Sequence, residues 1–226
     1  MKKKYYIKTI ITLISCILLT SHSTRHKEEW IDLIQNNSTE GWHKYLGGKD
    51  TGWEVKNKVL FTKGKNGDIV TDLIFENFEL VLEWKIEKGG NSGVFINVVE
   101  SPEHKRMYET GPEFQIIDNI NYPQKLTEEQ KVGALSDVKA PVNAIPKSVG
   151  QWNLTKIIVN NGHIEHWLNG KKILQYTLDS EELREEINKS KFAGLPYAKA
   201  KSGRIGLQDH GDPVYYRNIK IRIINK

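Results

Sequence analysis

Short apolar runs recur along the chain with turn residues between them, from Trp53 almost to the C-terminus. They occupy positions 59–61, 69–70, 78–84, 93–97 and 113–118, then 152–159, 164–168, 204–208 and 215–224. Most are rich in β-branched and aromatic residues, and many alternate apolar with polar positions, the period of a half-buried strand. Many short strands at close spacing predict an all-β sandwich or barrel. Asn169-Gly170, directly after the run 164–168, is a strong hairpin signal, because both residues tolerate the left-handed backbone of a tight turn. One helix is predicted over 180–188, where Ser180 followed by Glu181 and Glu182 reads as an N-cap and an acidic first turn. The stretch 119–146 is long, polar and proline-containing, and predicts loops beside the sheets.

The N-terminus breaks this pattern. Lys2, Lys3 and Lys4 precede a short, mostly apolar stretch over 7–20, and polar residues resume at Ser21. That is the layout of a secretory signal peptide, assigned to residues 1–23, with the domain occupying 24–226. The apolar run is too short for a membrane-spanning helix. Cys16, the chain's single cysteine, follows Leu13-Ile14-Ser15 in the manner of a bacterial lipobox, where the cysteine would be lipidated. Ordinary cleavage near Ser23 is the alternative, and both stay open. On either reading the mature domain carries no disulfide, and packing must hold it together.

Charge then loses its apparent meaning. The formal net charge is +5, but Lys2, Lys3, Lys4 and Lys8 account for four of it, so 5 − 4 = +1 remains without the leader. The other basic residues are scattered among acids with no aromatic-laced basic stripe, which argues against nucleic acid as a partner. No Gly-x-Ser-x-Gly elbow, phosphate-binding glycine loop or cluster with metal-ligand spacing is present. Serine-hydrolase and nucleotide chemistry are therefore set aside.

The candidate chemistry lies on strand faces. In Glu113-Phe114-Gln115-Ile116-Ile117-Asp118, Phe114 and Ile116 share one face while Glu113 and Gln115 share the other. Leu207 alternates likewise with Gln208 and His210 in a strand taken to run from Gly206 to His210. Asn91 follows Gly89-Gly90 and opens another strand, where an amide suits the mixed donors and acceptors of a sugar. His166 shares parity with Ile164 and Leu168: it is either a buried, hydrogen-bonded histidine or a site residue. In the first case Glu165 and Trp167 would face the cleft, with Trp167 as a stacking platform.

Taken together, these segments resemble the 3-keto-disaccharide hydrolase family, a concanavalin A-like jelly-roll of two antiparallel sheets. The resemblance covers about Trp30 to Arg222. It rests on Gly41-Trp42, Asn91-Ser92-Gly93, the run from Tyr108 to Gln115, Gly133-Ala134-Leu135, Trp152-Asn153, Glu165 to Gly170, Gly206 to Gly211, and Arg217 to Ile221. Two positions depart from the family pattern. Tyr122-Pro123 stands where relatives often have His-Pro, and Leu135-Ser136-Asp137 where they usually read Ala-Leu-Tyr-Asp.

The resemblance implies an enzyme acting on oxidised sugars outside the cytoplasm, in the periplasm or anchored to the outer membrane of a Gram-negative bacterium. A ketone at C3 acidifies the C2 hydrogen, so a base and an acid can expel the C1 substituent by elimination, with water adding afterwards. Glu113, His210 and His166 are the candidates for proton transfer. Asn91, Gln115, Asp118, Trp167 and Gln208 are the candidates for holding substrate. No cofactor is called for by the residues, and whether a divalent cation such as Ca²⁺ assists stays open. The rival reading is a non-catalytic carbohydrate-binding module on the same face.

Overall fold

The computed structural model describes residues 29–225. The expected leader and Cys16 lie outside these residues. Among the described residues thirteen strands and one α-helix follow in chain order: β1 (Ile31–Asp32), β2 (Trp42–Lys44), β3 (Glu54–Lys56), β4 (Val59–Thr62), β5 (Ile69–Thr71), β6 (Phe78–Ile86), β7 (Asn91–Val98) and β8 (Glu113–Ile117). Then come β9 (Asn153–Asn160), β10 (His163–Leu168), β11 (Lys171–Thr177), α1 (Glu181–Lys189), β12 (Arg204–Leu207) and β13 (Val214–Ile223).

The strands pair into two antiparallel sheets. The larger runs β11-β10-β9-β6-β13-β4-β3, with β1 also on β13, and the smaller runs β2-β5-β12-β7-β8. Neighbours in both sheets are distant in sequence, as β6 between β9 and β13 illustrates. The result is an all-β jelly-roll sandwich of the concanavalin A-like class, with one helix, and the core fills the space between the sheets. Alternation makes that core. Phe78, Leu80, Leu82, Trp84 and Ile86 point inward from β6, while Glu79, Val81, Glu83 and Lys85 lie outward. Val94 and Ile96 of β7 and Phe114 and Ile116 of β8 meet them from the smaller sheet. The Asn169-Gly170 turn joins β10 to β11 with φ of 49° and 84°, the left-handed pair a two-residue hairpin needs. Ser180 caps α1 by accepting a hydrogen bond from the Leu183 N–H.

Two features of the smaller sheet shape its outer face. At one end Met107 covers it, packing with Val70, Phe95 and Val98. Gly206 permits that cover, because a Cβ there would meet Met107 Sδ at 2.5 Å. Along the free edge of β8 the segment 133–139 runs as a partial extra strand. Gln115 N–H donates to the Ala134 carbonyl, Gly133 N–H to the Gln115 carbonyl and Ser136 N–H to the Glu113 carbonyl. This edge is therefore paired rather than open, and Ser136 and Asp137 are held beside the strand.

The structure corrects one boundary. β12 ends at Leu207, so Gln208 and His210 belong to the loop after it, not to a strand running to His210. The loop's position comes from hydrogen bonds. Ser92 Oγ donates to the Gln208 carbonyl at 2.6 Å, and Asp212 accepts from Asn91 N–H at 3.1 Å. Asp209 accepts from the Lys65 and Asn66 N–H groups and from Thr62 Oγ1.

Candidate functional site

The uncovered end of the smaller sheet's outer face holds a polar cavity of about 160 Å³. Glu113 and Gln115 of β8 and Asn91 of β7 form its floor. Gln208 and His210 enter from the loop after β12, and Tyr122, Gln130, Ser136, Asp137 and Lys191 complete the wall. Residues nearly a hundred positions apart thus share one concavity because β7 lies between β8 and β12.

Glu113 is the chemical centre. It is 5% exposed, and its carboxyl lies over Gly93, where a Cβ would come within 2.0 Å of Oε1. Gly93 is thus the gap that admits the carboxyl. Burial pushes the Glu113 pKa up to about 8 against an ordinary 4.5. The Ser136 hydroxyl and the charge of Lys191 pull it down, while the charges of Asp137 and Asp68 add to the rise. At neutral pH the group is a neutral carboxylic acid with a proton to give.

The amides around it are unsaturated. Gln115 Nε2 donates to Ser136 Oγ at 3.3 Å, and Asn91 Nδ2 to Tyr122 Oη at 3.4 Å. The oxygens Gln115 Oε1 and Asn91 Oδ1 are buried and accept no hydrogen bond from the described residues. Buried carbonyl oxygens without donors are costly, and a hydroxyl-bearing ligand would satisfy them. His210 is exposed at the mouth, its Nδ1 4.0 Å from an Asp212 oxygen. It is therefore a solvent-accessible imidazole beside a buried acid.

Three expected site residues lie elsewhere. His166 is in the core on the opposite side of β8: its ring centroid is 5.0 Å from that of Phe114, and its Nδ1 is 3.0 Å from the Gly133 carbonyl oxygen. Burial lowers its pKa to about 4, only partly opposed by that carbonyl, so the buried-histidine alternative is the observed one and His166 leaves the catalytic set. Trp167 does not face the cavity either, for it projects from the outer face of the larger sheet. There its Nε1 donates to Glu165 at 2.7 Å, and Lys156 Nζ sits 4.0 Å from the ring centroid. The expectation failed because residues flanking a core histidine point away from both the core and the other sheet.

Asp118, expected to bind substrate, ties a turn instead. It accepts from the N–H groups of Gly89, Ile120 and Asn121 and from Asn121 Nδ2. Burial would raise its pKa, but these donors prevail and hold it below the ordinary value. Both its oxygens are engaged.

Two wall residues had no signal in the apolar pattern. Lys191 follows α1, ion-pairs with Asp137, and holds its ammonium 5.1 Å from the centroid of Phe192. Gln130 Nε2 donates to Asp137 Oδ1 at 2.6 Å. Tyr122 and Ser136, the two departures from the family pattern, both lie in the wall, each hydrogen-bonded to a floor amide. Among the described residues no three of His, Cys, Asp and Glu gather as a metal site.

Comparison with known proteins gives a consistent result. Residues 29–222 match the family described as the 3-keto-alpha-glucoside-1,2-lyase-like domain. A 3-keto-disaccharide hydrolase of Bacteroides thetaiotaomicron is 30% identical over 230 aligned positions, covering 87% of this chain and 79% of that protein. A protein of Parabacteroides distasonis whose crystal structure carries a provisional glycosyl hydrolase name is 33% identical. It superposes with a TM-score of 0.82 over 87% of this chain and 94% of that one. A second such structure from the same organism is 28% identical with a TM-score of 0.69, covering 87% and 100%.

Proposed function

The chain belongs to the 3-keto-alpha-glucoside-1,2-lyase-like domain family, and on that premise we propose that it is a hydrolase cleaving 3-keto-glycosides by elimination followed by hydration. The observation that carries the reading is the pairing, in one cavity, of a buried carboxyl with a pKa of about 8 and an exposed imidazole.

Each step has a residue suited to it. His210 removes the proton from C2, which the neighbouring C3 ketone has acidified. The C2–H electron pair forms the C1=C2 bond as the C1–O bond breaks, and Glu113 protonates the departing oxygen. Hydrogen bonds from the side-chain amides of Asn91, Gln115 and Gln208 stabilise the charge on the ketone oxygen and hold the ring hydroxyls. For hydration the roles reverse. The Glu113 carboxylate takes a proton from water as its oxygen bonds to C1, and the imidazolium of His210 returns a proton to C2. The sum is glycoside plus water giving two products, with both residues restored. The basic and then apolar N-terminal segment supports action outside the cytoplasm.

The test is to incubate the purified protein with a 3-keto-disaccharide and with its unoxidised parent. Cleavage of the keto-sugar alone is expected. Binding of the keto-sugar with no turnover across pH and added divalent metals would overturn the enzymatic reading in favour of a carbohydrate-binding module.

A further inference from the structure

Once Glu113 has given its proton to the departing oxygen, the cavity holds a carboxylate under the same desolvation that favours the neutral acid. A buried charge of that kind needs a partner until hydration returns the proton. Among the described residues that line the cavity, only Lys191 and His210 can be cations. His210 stands at the exposed mouth and is committed to the C2 proton, which leaves Lys191.

The fold fixes where that ammonium can be. α1 ends at Lys189, and Ser190 turns the chain by accepting a hydrogen bond from the Phe192 N–H at 3.1 Å. Phe192 enters the core, stacked on Tyr197 with ring centroids 4.1 Å apart. Lys191 stays at the wall, with its Nζ 5.1 Å from the Phe192 centroid and ion-paired with Asp137. Asp137 is itself anchored, by Gln130 Nε2 at 2.6 Å and by its own N–H on the Glu129 carbonyl at 2.9 Å. Its neighbour Ser136 contacts Glu113. The tether matters in both directions. An ammonium without Asp137 would draw the proton off Glu113 before substrate arrived, and a wall without the ammonium would leave the carboxylate uncompensated afterwards.

We propose that Lys191 is a positioning residue of the reaction: its ammonium, tethered by Asp137, is the counter-charge for the Glu113 carboxylate that exists between elimination and hydration. The proposal rests on the function proposed above and deepens it at the same site. The other groups that act on Glu113 do not take this role. Asp68, just ahead of β5, is an acid and opposes ionisation of Glu113. Tyr197 and Tyr216 are buried phenols that desolvation keeps protonated.

The experiment follows kcat/KM for a 3-keto-disaccharide between about pH 6 and 10 in the wild type, Lys191→Met, Lys191→Arg and Asp137→Asn, with a melting curve for each. Met keeps an unbranched stem over Phe192. Asn suits the left-handed φ of 59° at position 137 and can still accept from Gln130. Lys191→Met should move the alkaline limb up by about one pH unit, the low end of what a neighbouring opposite charge does, because Lys191 is 58% exposed. Its turnover at neutral pH should fall by up to about tenfold, since the acid is weaker by that unit. Lys191→Arg should restore the wild-type limb. Asp137→Asn should move the limb down, because it removes a negative charge and frees the ammonium. Infrared difference spectra of each protein against the same protein carrying Glu113→Gln follow the protonated carboxyl without substrate, and its titration should shift in the same order. A tie that merely holds the end of α1 to the 133–139 segment would lower the melting temperatures and leave every limb in place. That result, or limbs of Lys191→Met and Asp137→Asn moving the same way, would overturn the inference while cleavage by the wild type keeps the proposed function standing. No cleavage of the keto-sugar by the wild type would remove both.

Discussion

Replacing Glu113 with Gln should make the protein more stable at alkaline pH and nearly inactive. The folded carboxyl has a pKa of about 8 against an ordinary value of 4.5, because the floor of the cavity desolvates it. The folded state therefore binds the proton more tightly than the unfolded chain. The stability this confers is complete below about pH 4.5 and is lost as pH rises through about 8, where the folded group finally ionises. The gap between the two values, at about 1.4 kcal/mol per pH unit, comes to roughly 5 kcal/mol. Gln has the shape of the neutral acid, can keep the contact with Ser136, and does not titrate. Urea unfolding of both proteins at pH 4.5, 6, 7.5 and 9 should show the wild type falling relative to the variant by several kcal/mol, then levelling off above pH 8. Taking the difference between the two proteins cancels the other carboxylates, such as Asp72, Glu100 and Asp118, which titrate alike in both. Parallel profiles would refute the reasoning, since they would mean that Glu113 ionises in the folded protein as it does in the unfolded one.

Five further outcomes follow from the same geometry. Turnover should fall as pH rises past about 8, where Glu113 loses its proton, and a kcat/KM profile flat to pH 10 would remove it as the acid. His210→Gln should lose at least about a hundredfold in kcat with an unchanged melting temperature, because an exposed loop side chain leaves no cavity and Gln cannot take up a proton; full activity would sink the base assignment. His166→Ala should cost about 2 to 4 kcal/mol by denaturant titration, as a core truncation does, and Trp167→Ala should leave kcat/KM unchanged from its place on the other sheet. Gly93→Ala should impair catalysis without touching a polar group, since the added Cβ falls 2.0 Å from Glu113 Oε1 and must displace it; wild-type turnover in that variant would contradict the placement of the carboxyl.

The sheets were legible because burial on one face writes a period of two into the chain. β6 shows it over nine residues, alternating inward Phe78 to Ile86 with partly exposed neighbours, and the Asn169-Gly170 turn marked its own hairpin. The helix announced itself through Ser180. What the pattern could not show were the short strands β1, β2 and β3, each of two or three residues, too short for a period to register. β11 was also missed, because its Lys171-Lys172 start and Gln175 interrupt the apolar run at the sheet's edge.

The site was readable where strand parity governs and obscure where it does not. Glu113 and Gln115 were found because β8 buries Phe114 and Ile116, which forces their neighbours to the other face. Gln208 and His210 reached the same cavity for a different reason than alternation. β12 stops at Leu207, and the loop is fixed by Ser92, Asp212 and the carboxylate of Asp209, contacts spanning more than a hundred residues that no local pattern encodes. Parity also misled at β10. It identified His166 as sharing a face with Ile164 and Leu168, but it carried no information on which side of the sandwich the site lies, so Trp167 was placed in a cleft two layers away. Lys191 and Gln130 are held in the wall by their contacts with Asp137, which no apolar pattern encodes. Asp137 in turn needs a left-handed backbone, φ 59°, at the bend of the segment that seals the edge of β8. A sequence thus discloses the residues a sheet aims by its own geometry, while those delivered by loops become visible only once the sheets that anchor the loops are in place.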